Sequence, residues 1–209
     1  SSNHLLSLIN DVLQMSKLES GEIALGHEPI DLNRLSAEVM TIISQRAAES
    51  GITLENDRHS EPVSTPWVYG SPLHLRQIFL NIYTNCIKYN KVGGSITTLF
   101  QCVEKDEKTV TYRWTISDTG IGMSEEFLGR IFDPFTQEKT DARSIYQGTG
   151  LGMAIVKGLV EQMNGSIEVG STLGVGSTFT ITIPFEIAES VEVKPARRND
   201  VGQTDIHGL

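Results

Sequence analysis

Three short runs of polar residues and glycines are the part of this sequence best suited to bind a phosphorylated ligand. They occur in the order 81–89 (NIYTNCIKY), 118–122 (DTGIG) and 148–152 (GTGLG), with similar lengths of chain between neighbours. Each run alone also suits a turn, a hinge or a solvated helix face. Because those separate explanations do not predict all three runs in this order, their succession predicts an ATP pocket.

The first run lies in a predicted helix whose start is marked by Ser71 and Pro72, a typical N-cap followed by a typical first helical residue. Asn81, Asn85 and Lys88 fall on one face of this helix, because they are four and three residues apart. Amide oxygens are ligands that Mg²⁺ accepts beside phosphate and water. An ammonium group neutralises phosphate charge. The face therefore suits a magnesium–phosphate group; a solvated face is the alternative from this helix alone.

The second run begins with Asp118, which ends a β-branched stretch and precedes Gly120 and Gly122. A carboxylate in this place can accept a hydrogen bond from an exocyclic amine such as adenine N6. The glycines would let a ligand approach the backbone. The run predicts selection of adenine over guanine, and an aspartate that starts a tight turn is the alternative.

The third run, 148–152, lies directly before a predicted helix. Unpaired backbone N–H groups and the positive end of the helix dipole favour phosphate there. The G-x-G-x-G spacing differs from a dinucleotide-binding fingerprint, and the sequence contains no G-x-x-x-x-G-K-[ST] run. The run predicts a phosphate cradle, with a flexible hinge as the alternative.

The remaining pattern predicts helices that pack on one sheet. Helices are expected at 4–18, 31–50 (with Asp31 as N-cap), 71–89, 124–131 and 150–163, and strands at 52–56, 94–104, 109–118, 166–170 and 176–185. Residues 133–149 are polar and without periodicity, as in functional or mobile loops. Since the late hairpins cannot form an all-parallel sheet, the expected fold class is a two-layer α/β sandwich.

The two ends of the chain differ from its middle. The helix at 4–18 is amphipathic, and its apolar stripe has no obvious partner before Gly21, so we expect it to pack on a helix outside this sequence or in a second subunit. Residues 186–209 are charged and nearly free of large apolar side chains, which predicts a linker or disordered tail. The expected organisation is 1–21, 28–185 and 186–209.

Composition restricts the function further. The 209 residues carry a formal net charge of -9, which argues against a nucleic-acid-binding surface. Cys86 and Cys102 lack metal-site spacing and are expected to be reduced, packed thiols, as in a cytoplasmic protein. No apolar run of about 18 residues and no signal-peptide pattern occurs in the sequence.

Together these motifs resemble the catalytic and ATP-binding domain of sensor histidine kinases, of the GHKL (Bergerat) ATPase type. The run 81–89 resembles the N box, 118–122 the first glycine box, 131–135 (IFDPF) the F box, 148–152 the second glycine box, and 174–180 the strand that closes the adenine pocket. The resemblance covers 28–185. It implies a two-component kinase with ATP and Mg²⁺ as ligands.

The resemblance also implies roles for individual residues. Asn85 would bind Mg²⁺, Asp118 would hold adenine with a water near Thr178, and residues 133–149 would form a lid that Phe132 and Phe135 anchor and from which Arg143 reaches the γ-phosphate. The implied ATP-binding set is Asn81, Asn85, Lys88, Tyr89, Asp118, Gly120, Gly122, Phe132, Gly148, Thr149, Gly150, Leu151, Gly152, Met153 and Thr178.

The N-terminal helix resembles the second helix of the family's dimerisation and phosphotransfer hairpin, and Leu18-Glu19-Ser20-Gly21 resembles its exit. The first hairpin helix, with the phosphoacceptor histidine, does not occur in this sequence; none of His4, His27, His59, His74 and His207 has its context. The implied partners are that acceptor helix, a second copy of the kinase and the receiver domain of a response regulator. Any catalysis here would act on a histidine outside these residues.

Related gyrase, HSP90 and MutL ATPases share these boxes but resemble the chain less at Asn81, where they place a glutamate. Asparagine has no proton-accepting carboxylate and cannot act as a general base. The sequence therefore favours phosphoryl transfer over hydrolysis. A nucleotide-gated interaction module, or an ATPase of this type without kinase activity, is the alternative function.

Overall fold

The chain forms one sheet with helices packed on it, preceded by a helix at the N-terminus. The computed structural model describes residues 2–136 and 149–189. The helices are α1 (Ser2–Ser20), α2 (Leu32–Glu49), α3 (Pro72–Lys88), α4 (Glu125–Leu128) and α5 (Gly152–Gln162). The strands are β1 (Glu28–Asp31), β2 (Thr53–Asn56), β3 (Trp67–Gly70), β4 (Ser95–Lys105), β5 (Thr109–Asp118), β6 (Ser166–Thr172) and β7 (Gly176–Ile187).

The sheet is mixed and mostly antiparallel, in agreement with the prediction that it is not all-parallel. Its order is β1-β3-β7-β5-β4-β2, and β6 pairs with the first part of β7 while β3 pairs with its end. β2 and β4 run parallel, and the other pairs are antiparallel. Along β7, buried Phe179, Ile181 and Ile183 alternate with partly exposed threonines, so one face of the sheet meets the helices. The two-layer α/β fold class is confirmed.

Two strands were missed by the sequence pattern. β1 and β3 have four residues each and pair with each other, and each has a single fully buried side chain, Ile30 or Val68. So short a run carries almost no alternation, and Pro29 lowers its strand propensity further. These strands form because β7 continues to Ile187 and offers β3 an edge, beyond the predicted strand end at 185.

The predicted division of α3 into two faces is confirmed. Its buried residues are Leu75, Ile78, Phe79, Ile82, Tyr83, Cys86 and Ile87. Asn81, Asn85 and Lys88 are not among them. Hydrophobic burial against the sheet therefore sets the direction in which the polar stripe points.

The predicted helix ends are correct in part. Asp31 caps α2, since its Oδ1 accepts hydrogen bonds from the backbone N–H groups of Asn33 (3.0 Å) and Arg34 (3.4 Å). Ser71 precedes α3 as predicted, but its Oγ pairs with Nδ1 of His74 at 2.6 Å instead of with a backbone N–H. The helix predicted at 124–131 ends at Leu128, and the helix predicted from 150 begins at Gly152.

α1 is amphipathic, as predicted, and its C-terminal part packs on α3 and α5 of this sequence, which the pattern did not predict. Leu18 is buried against Gly158 of α5, and the side-chain amides of Gln14 and Gln77 exchange two hydrogen bonds of 2.6 Å. Its remaining stripe is exposed: Leu5, Leu6, Ile9, Val12 and Leu13. In the part of the chain that the structure describes, no helix has the length and apolarity needed to cross a membrane.

Gly122 is a position where the fold requires glycine. Its φ is +68°, and a Cβ added there would lie 2.1 Å from the carbonyl oxygen of Thr172 at the end of β6. Gly174 has a similar φ of +80°, but an added Cβ would meet nothing within 4 Å. Comparing substitutions at the two glycines therefore separates the cost of backbone strain from the cost of steric overlap.

Replacing Gly122 by alanine is expected to lower the free energy of unfolding by about 3 kcal/mol or more, because left-handed strain of about 1–2 kcal/mol adds to the displacement of β6. Gly174→Ala, the matched control, should cost only the strain of about 1–2 kcal/mol. Urea denaturation followed by circular dichroism measures both. Equal losses in the two variants would contradict the steric account.

Candidate functional site

A cavity of about 360 Å³ lies where α1, the second half of α3 and the start of α5 meet. The structure places eight of the sequence-predicted site residues on its wall. They are Asn81, Asn85, Lys88, Tyr89, Thr149, Gly150, Gly152 and Met153. The first and third runs of the sequence, far apart in the chain, therefore meet at one cavity.

The polar stripe of α3 faces the N-terminus of α5. The Nδ2 atom of Asn81 is 4.0 Å from the position that a Cβ would take at Gly152, the first residue of α5. Leu151 is fully buried and anchors this end of the helix, and among the described residues no side chain caps it. The first N–H groups of an uncapped helix attract anions. With Lys88 on the opposite wall, the cavity is suited to phosphate.

The third run also contacts the F box. Gly150 has a φ of +73°, and a Cβ there would lie 2.9 Å from Cα of Phe135. The backbone N–H of Phe135 donates to the carbonyl of Gly150 at 2.9 Å. Phe132 packs against the core, with Nζ of Lys157 5.2 Å from its ring centre, and does not line the cavity. Gly148 and Arg143 lie outside the described residues.

The second run forms a neighbouring cluster and does not line this cavity. Oδ1 of Asp118 accepts hydrogen bonds from the backbone N–H groups of Gly120 (2.9 Å) and Ser177 (3.2 Å). Ser117 and Thr178, a cross-strand pair of β5 and β7, have their hydroxyl oxygens 3.0 Å apart. The predicted adenine-binding residues thus lie together at the ends of two central strands.

Tyr89 joins the cluster to the cavity. It lines the cavity, and its carbonyl oxygen accepts a hydrogen bond of 2.9 Å from the N–H of Ile121. A Cβ at Gly120 would lie 2.3 Å from this same oxygen, so the close approach requires glycine. The first and second runs are therefore held together through backbone atoms.

Cys86 lies behind this junction on the buried face of α3. Full burial raises the pKa of its thiol well above the ordinary value, and the negative charge of Asp118 and a hydrogen bond to it raise the pKa further. The thiol is therefore protonated at neutral pH. The prediction of a packed, reduced thiol fits this environment, since Cys86 belongs to no metal-binding group among the described residues.

Sequence reasoning missed the contribution of α1. His4, Ser7 and Asp11 lie on one helical face and line the cavity, as does Gln77 of α3. Oδ2 of Asp11 accepts a hydrogen bond of 2.7 Å from the hydroxyl of Thr149. The polar spacing of these three residues was the available signal, but only the fold places them opposite the third run. α1 thus brings a carboxylate to the place suited to phosphate.

The side chains of this cavity can bind a hard cation such as Mg²⁺ only together with phosphate. Within residues 2–136 and 149–189, no group of three or more His, Cys, Asp or Glu side chains is arranged to hold a metal ion. Asn81 and Asn85 offer amide oxygens on one stripe of the cavity wall. Phosphate oxygens and water would have to supply the other ligands of Mg²⁺.

Comparison with known families and proteins agrees with this geometry. A family model described as histidine kinase-, DNA gyrase B- and HSP90-like ATPase matches residues 70–187. The circadian input-output histidine kinase CikA of Synechococcus elongatus is 37% identical over 200 residues, which are 95% of this chain and 26% of that protein. The sensor histidine kinase GacS of Pseudomonas protegens is 36% identical over 184 residues, 88% of this chain and 20% of that protein. The chain thus spans roughly a quarter or less of these curated relatives.

Solved structures show the same fold. Full-length ShkA in complex with AMPPNP superposes with a TM-score of 0.73 and 33% identity, over 90% of this chain and 37% of that chain. The histidine kinase AdeS of Acinetobacter baumannii superposes with a TM-score of 0.65 and 22% identity, over 87% of this chain and 77% of that chain. The second likeness concerns the fold alone.

Replacing Asp11 by asparagine is expected to tighten ATP binding about three- to tenfold. The change removes a negative charge from the cavity, which lowers the repulsion of phosphate, and leaves an oxygen to accept from Thr149. Isothermal titration calorimetry with ATP and Mg²⁺ measures the affinity. Glu19→Gln makes the same charge change on α1 away from the cavity wall and should leave the affinity unchanged. Equal affinities for both variants would contradict binding of phosphate beside Asp11.

Proposed function

Because this chain belongs to the family of histidine kinase-, DNA gyrase B- and HSP90-like ATPases, we propose that it is the ATP-binding catalytic part of a two-component sensor histidine kinase. One observation carries the proposal: Asn81, Asn85 and Lys88 line the same cavity as the uncapped start of α5. The two amide oxygens can bind Mg²⁺. The ammonium group and the free backbone N–H groups can bind the phosphates of a magnesium triphosphate. The names of the relatives support a kinase over an interaction module.

The phosphates would lie between α3 and α5. Lys88 would neutralise phosphate charge, and the N–H groups at Gly150 and Gly152 would donate to phosphate oxygens. Asn85 would be the protein ligand of Mg²⁺, with Asn81 beside it. Mg²⁺, when bound, would withdraw charge from the phosphate oxygens and orient them for transfer.

Adenine would lie against the second run. A carboxylate oxygen of Asp118 would accept from the exocyclic amine of adenine, while Gly120 and Ser177 fix the side chain through its Oδ1. Thr178 would contribute through a bridging water. Tyr89 would lie between base and phosphates, since it contacts both the second run and the cavity.

The reaction would be transfer, not hydrolysis. An imidazole nitrogen of an acceptor histidine, on a helix outside these residues, would attack the γ-phosphorus. The bond from that phosphorus to the β–γ bridging oxygen would break, and ADP would leave with the electron pair. The cavity would supply positioning and charge stabilisation. Asn81 provides no base to activate water, which disfavours hydrolysis.

α1 would be one helix of the dimerisation and phosphotransfer hairpin. Its exposed apolar stripe, which includes Leu5, Ile9 and Val12, offers a surface for the acceptor helix and for a second copy of the kinase. The product phosphohistidine would donate its phosphoryl group to the receiver domain of a response regulator. A relative from Dictyostelium discoideum named hybrid signal transduction histidine kinase B supports this partner class.

The chain is expected to label a separately prepared acceptor hairpin on histidine when mixed with Mg²⁺ and γ-labelled ATP. The phosphohistidine is identified by its loss in acid and its survival in base. Lys88→Met should slow labelling at least about tenfold, because a phosphate-neutralising charge is lost. Lys91→Met removes an exposed lysine just after α3 and should not change the rate.

Two outcomes would contradict the assignment. Steady release of inorganic phosphate without the hairpin would indicate an ATPase, against the role given to Asn81. ATP binding without any labelling of the hairpin would indicate a nucleotide-gated interaction module. Equal labelling by the Lys88 and Lys91 variants would remove Lys88 from the phosphate site.

Replacing Asp118 by asparagine is expected to weaken ATP binding by about 1–3 kcal/mol, because an amide N–H₂ would face the adenine amine in place of an acceptor. Asparagine keeps one oxygen for the N–H groups of Gly120 and Ser177, so the fold should be retained. Calorimetry measures the affinity, and thermal unfolding checks the fold. Asp31→Asn, a charge-matched control that preserves the cap of α2, should bind ATP normally. An unchanged affinity for the Asp118 variant would exclude its contact with adenine.

A further inference from the structure

A second cavity of about 590 Å³, larger than the first, lies between α2, the helix-facing side of β4 and β5, and the segment 60–63. Protein interiors rarely contain voids larger than a water molecule, whereas small-molecule sites measure roughly 300–1,000 Å³. None of the predicted nucleotide-binding residues lines it. Its size therefore calls for an explanation that the nucleotide site does not supply.

The wall of the second cavity is aromatic on the side of the sheet. The ring of Trp114 lies 4.9 Å from that of Phe79 and 5.4 Å from that of Phe100, and all three line the cavity. On the side of α2 the wall is aliphatic, with Leu35 and Val39. Tilted aromatic walls of this kind favour a flat ring as the occupant.

One polar pair interrupts this apolar wall. The hydroxyl oxygens of Tyr83 and Thr98 lie 2.6 Å apart, and Tyr83 is 3% exposed. Burial raises the pKa of Tyr83 to about 12, so the phenol is protonated at all ordinary pH values. The pair has two hydroxyl hydrogens and uses one between its oxygens, and neither side chain has another hydrogen-bond partner among the described residues. One O–H therefore remains to donate to an acceptor in the cavity.

The segment over the cavity is held in place by its own hydrogen bonds. Oγ of Ser60 accepts from the N–H of Phe100 at 3.1 Å and donates to Oδ1 of Asn56 at 3.1 Å. The hydroxyl of Tyr112 bonds both the N–H and the carbonyl of Thr65, at 3.0 and 2.9 Å. These bonds tie the segment to β4 and β5, so it has a defined position over the cavity.

The rim carries negative charge. Glu55 and Glu61 both line the cavity, and Oε2 of Glu61 accepts from the N–H of Cys102 at 3.0 Å. Carboxylates at the entrance repel anions. Fatty acids and sulfonates are therefore poor candidates. A cation is disfavoured inside as well, because the two carboxylates are exposed and the rest of the lining carries no charge, so an uncharged molecule is favoured.

We propose that this second cavity binds an uncharged aromatic molecule with one hydrogen-bond acceptor, whose ring packs against Trp114 and whose acceptor meets the Tyr83–Thr98 hydroxyl pair. The proposal is independent of the nucleotide chemistry. It assigns the buried, apolar face of α3 to a small ligand, whereas the polar stripe of the same helix faces the first cavity.

Prodan, an uncharged naphthalene with a single ketone, is a suitable probe for the whole chain. In the Trp67→Phe variant Trp114 is the remaining tryptophan, so quenching of its emission by bound prodan reports the second cavity. Saturable quenching that ATP does not displace is expected. An anionic naphthalene sulfonate should bind at least tenfold more weakly, because of the acidic rim.

Variants in this background test the contacts. The double variant Tyr83→Phe/Thr98→Val should weaken prodan about fivefold, because it removes both hydroxyl groups, whereas the single hydroxyl left by either change alone can still donate to the ketone. It should not change the binding of 2-ethylnaphthalene, which has no acceptor. Thr180→Val, the same threonine change on the opposite face of the sheet, should have no effect on either probe. Ser36→Phe, which fills the cavity from α2, should abolish binding of both.

Several results would overturn the proposed binding site. Absence of quenching in a folded protein, displacement of prodan by ATP, or normal binding in Ser36→Phe would refute the site. Equal affinity of the double variant and Thr180→Val for prodan would refute the role of the hydroxyl pair. If the double variant does not fold, the affinity ratio of prodan to 2-ethylnaphthalene in the Trp67→Phe protein decides, and a ratio of one would overturn the polar contact.

Discussion

The amphipathic packing of α3 is the constraint on which the rest of the site depends. Ile78 and Ile82 are fully buried against the sheet, so Asn81 and Asn85 must lie on the stripe that meets α5. A rotation of one residue, about 100°, would bury an amide and expose an isoleucine, each at a cost of roughly 1–3 kcal/mol. Hydrophobic burial therefore fixes the polar stripe before any ligand binds.

The sequence alone was sufficient to predict the structure wherever one local rule determined it. The faces of α3, the cap at Asp31 and the β4–β5 hairpin follow from periodicity, capping and turn chemistry. The contact of Asp11 with Thr149 joins residues 138 positions apart, and no local pattern encodes it. β1 and β3 were missed for a related reason, because each depends on a neighbouring strand more than on its own residues.

The glycines of the second run illustrate how one residue type can meet two demands. The sequence suggests that Gly120 and Gly122 admit a ligand, yet the structure shows a backbone oxygen within 2.3 Å of a Cβ placed at either one. Tyr89 and Thr172 supply those oxygens. Packing therefore requires glycine at both positions whether or not a ligand binds. The position of Asp118 follows from the same packing, since Gly120 holds its carboxylate.

The two cavities lie on opposite sides of α3, and α2 lines the second and contacts a residue that lines the first. Leu35 and Val39 of α2 line the second cavity. Further along the same helix, Nη1 of Arg46 donates to Oγ1 of Thr84 at 3.1 Å, and Thr84 lines the first cavity. Arg76 of α3 also pairs with Glu38 of α2 at 3.1 Å. A shift of α2 away from the sheet would therefore strain both of these contacts with α3. The second cavity is thereby connected to the first cavity, which is suited to phosphate, through contacts between side chains of α2 and α3.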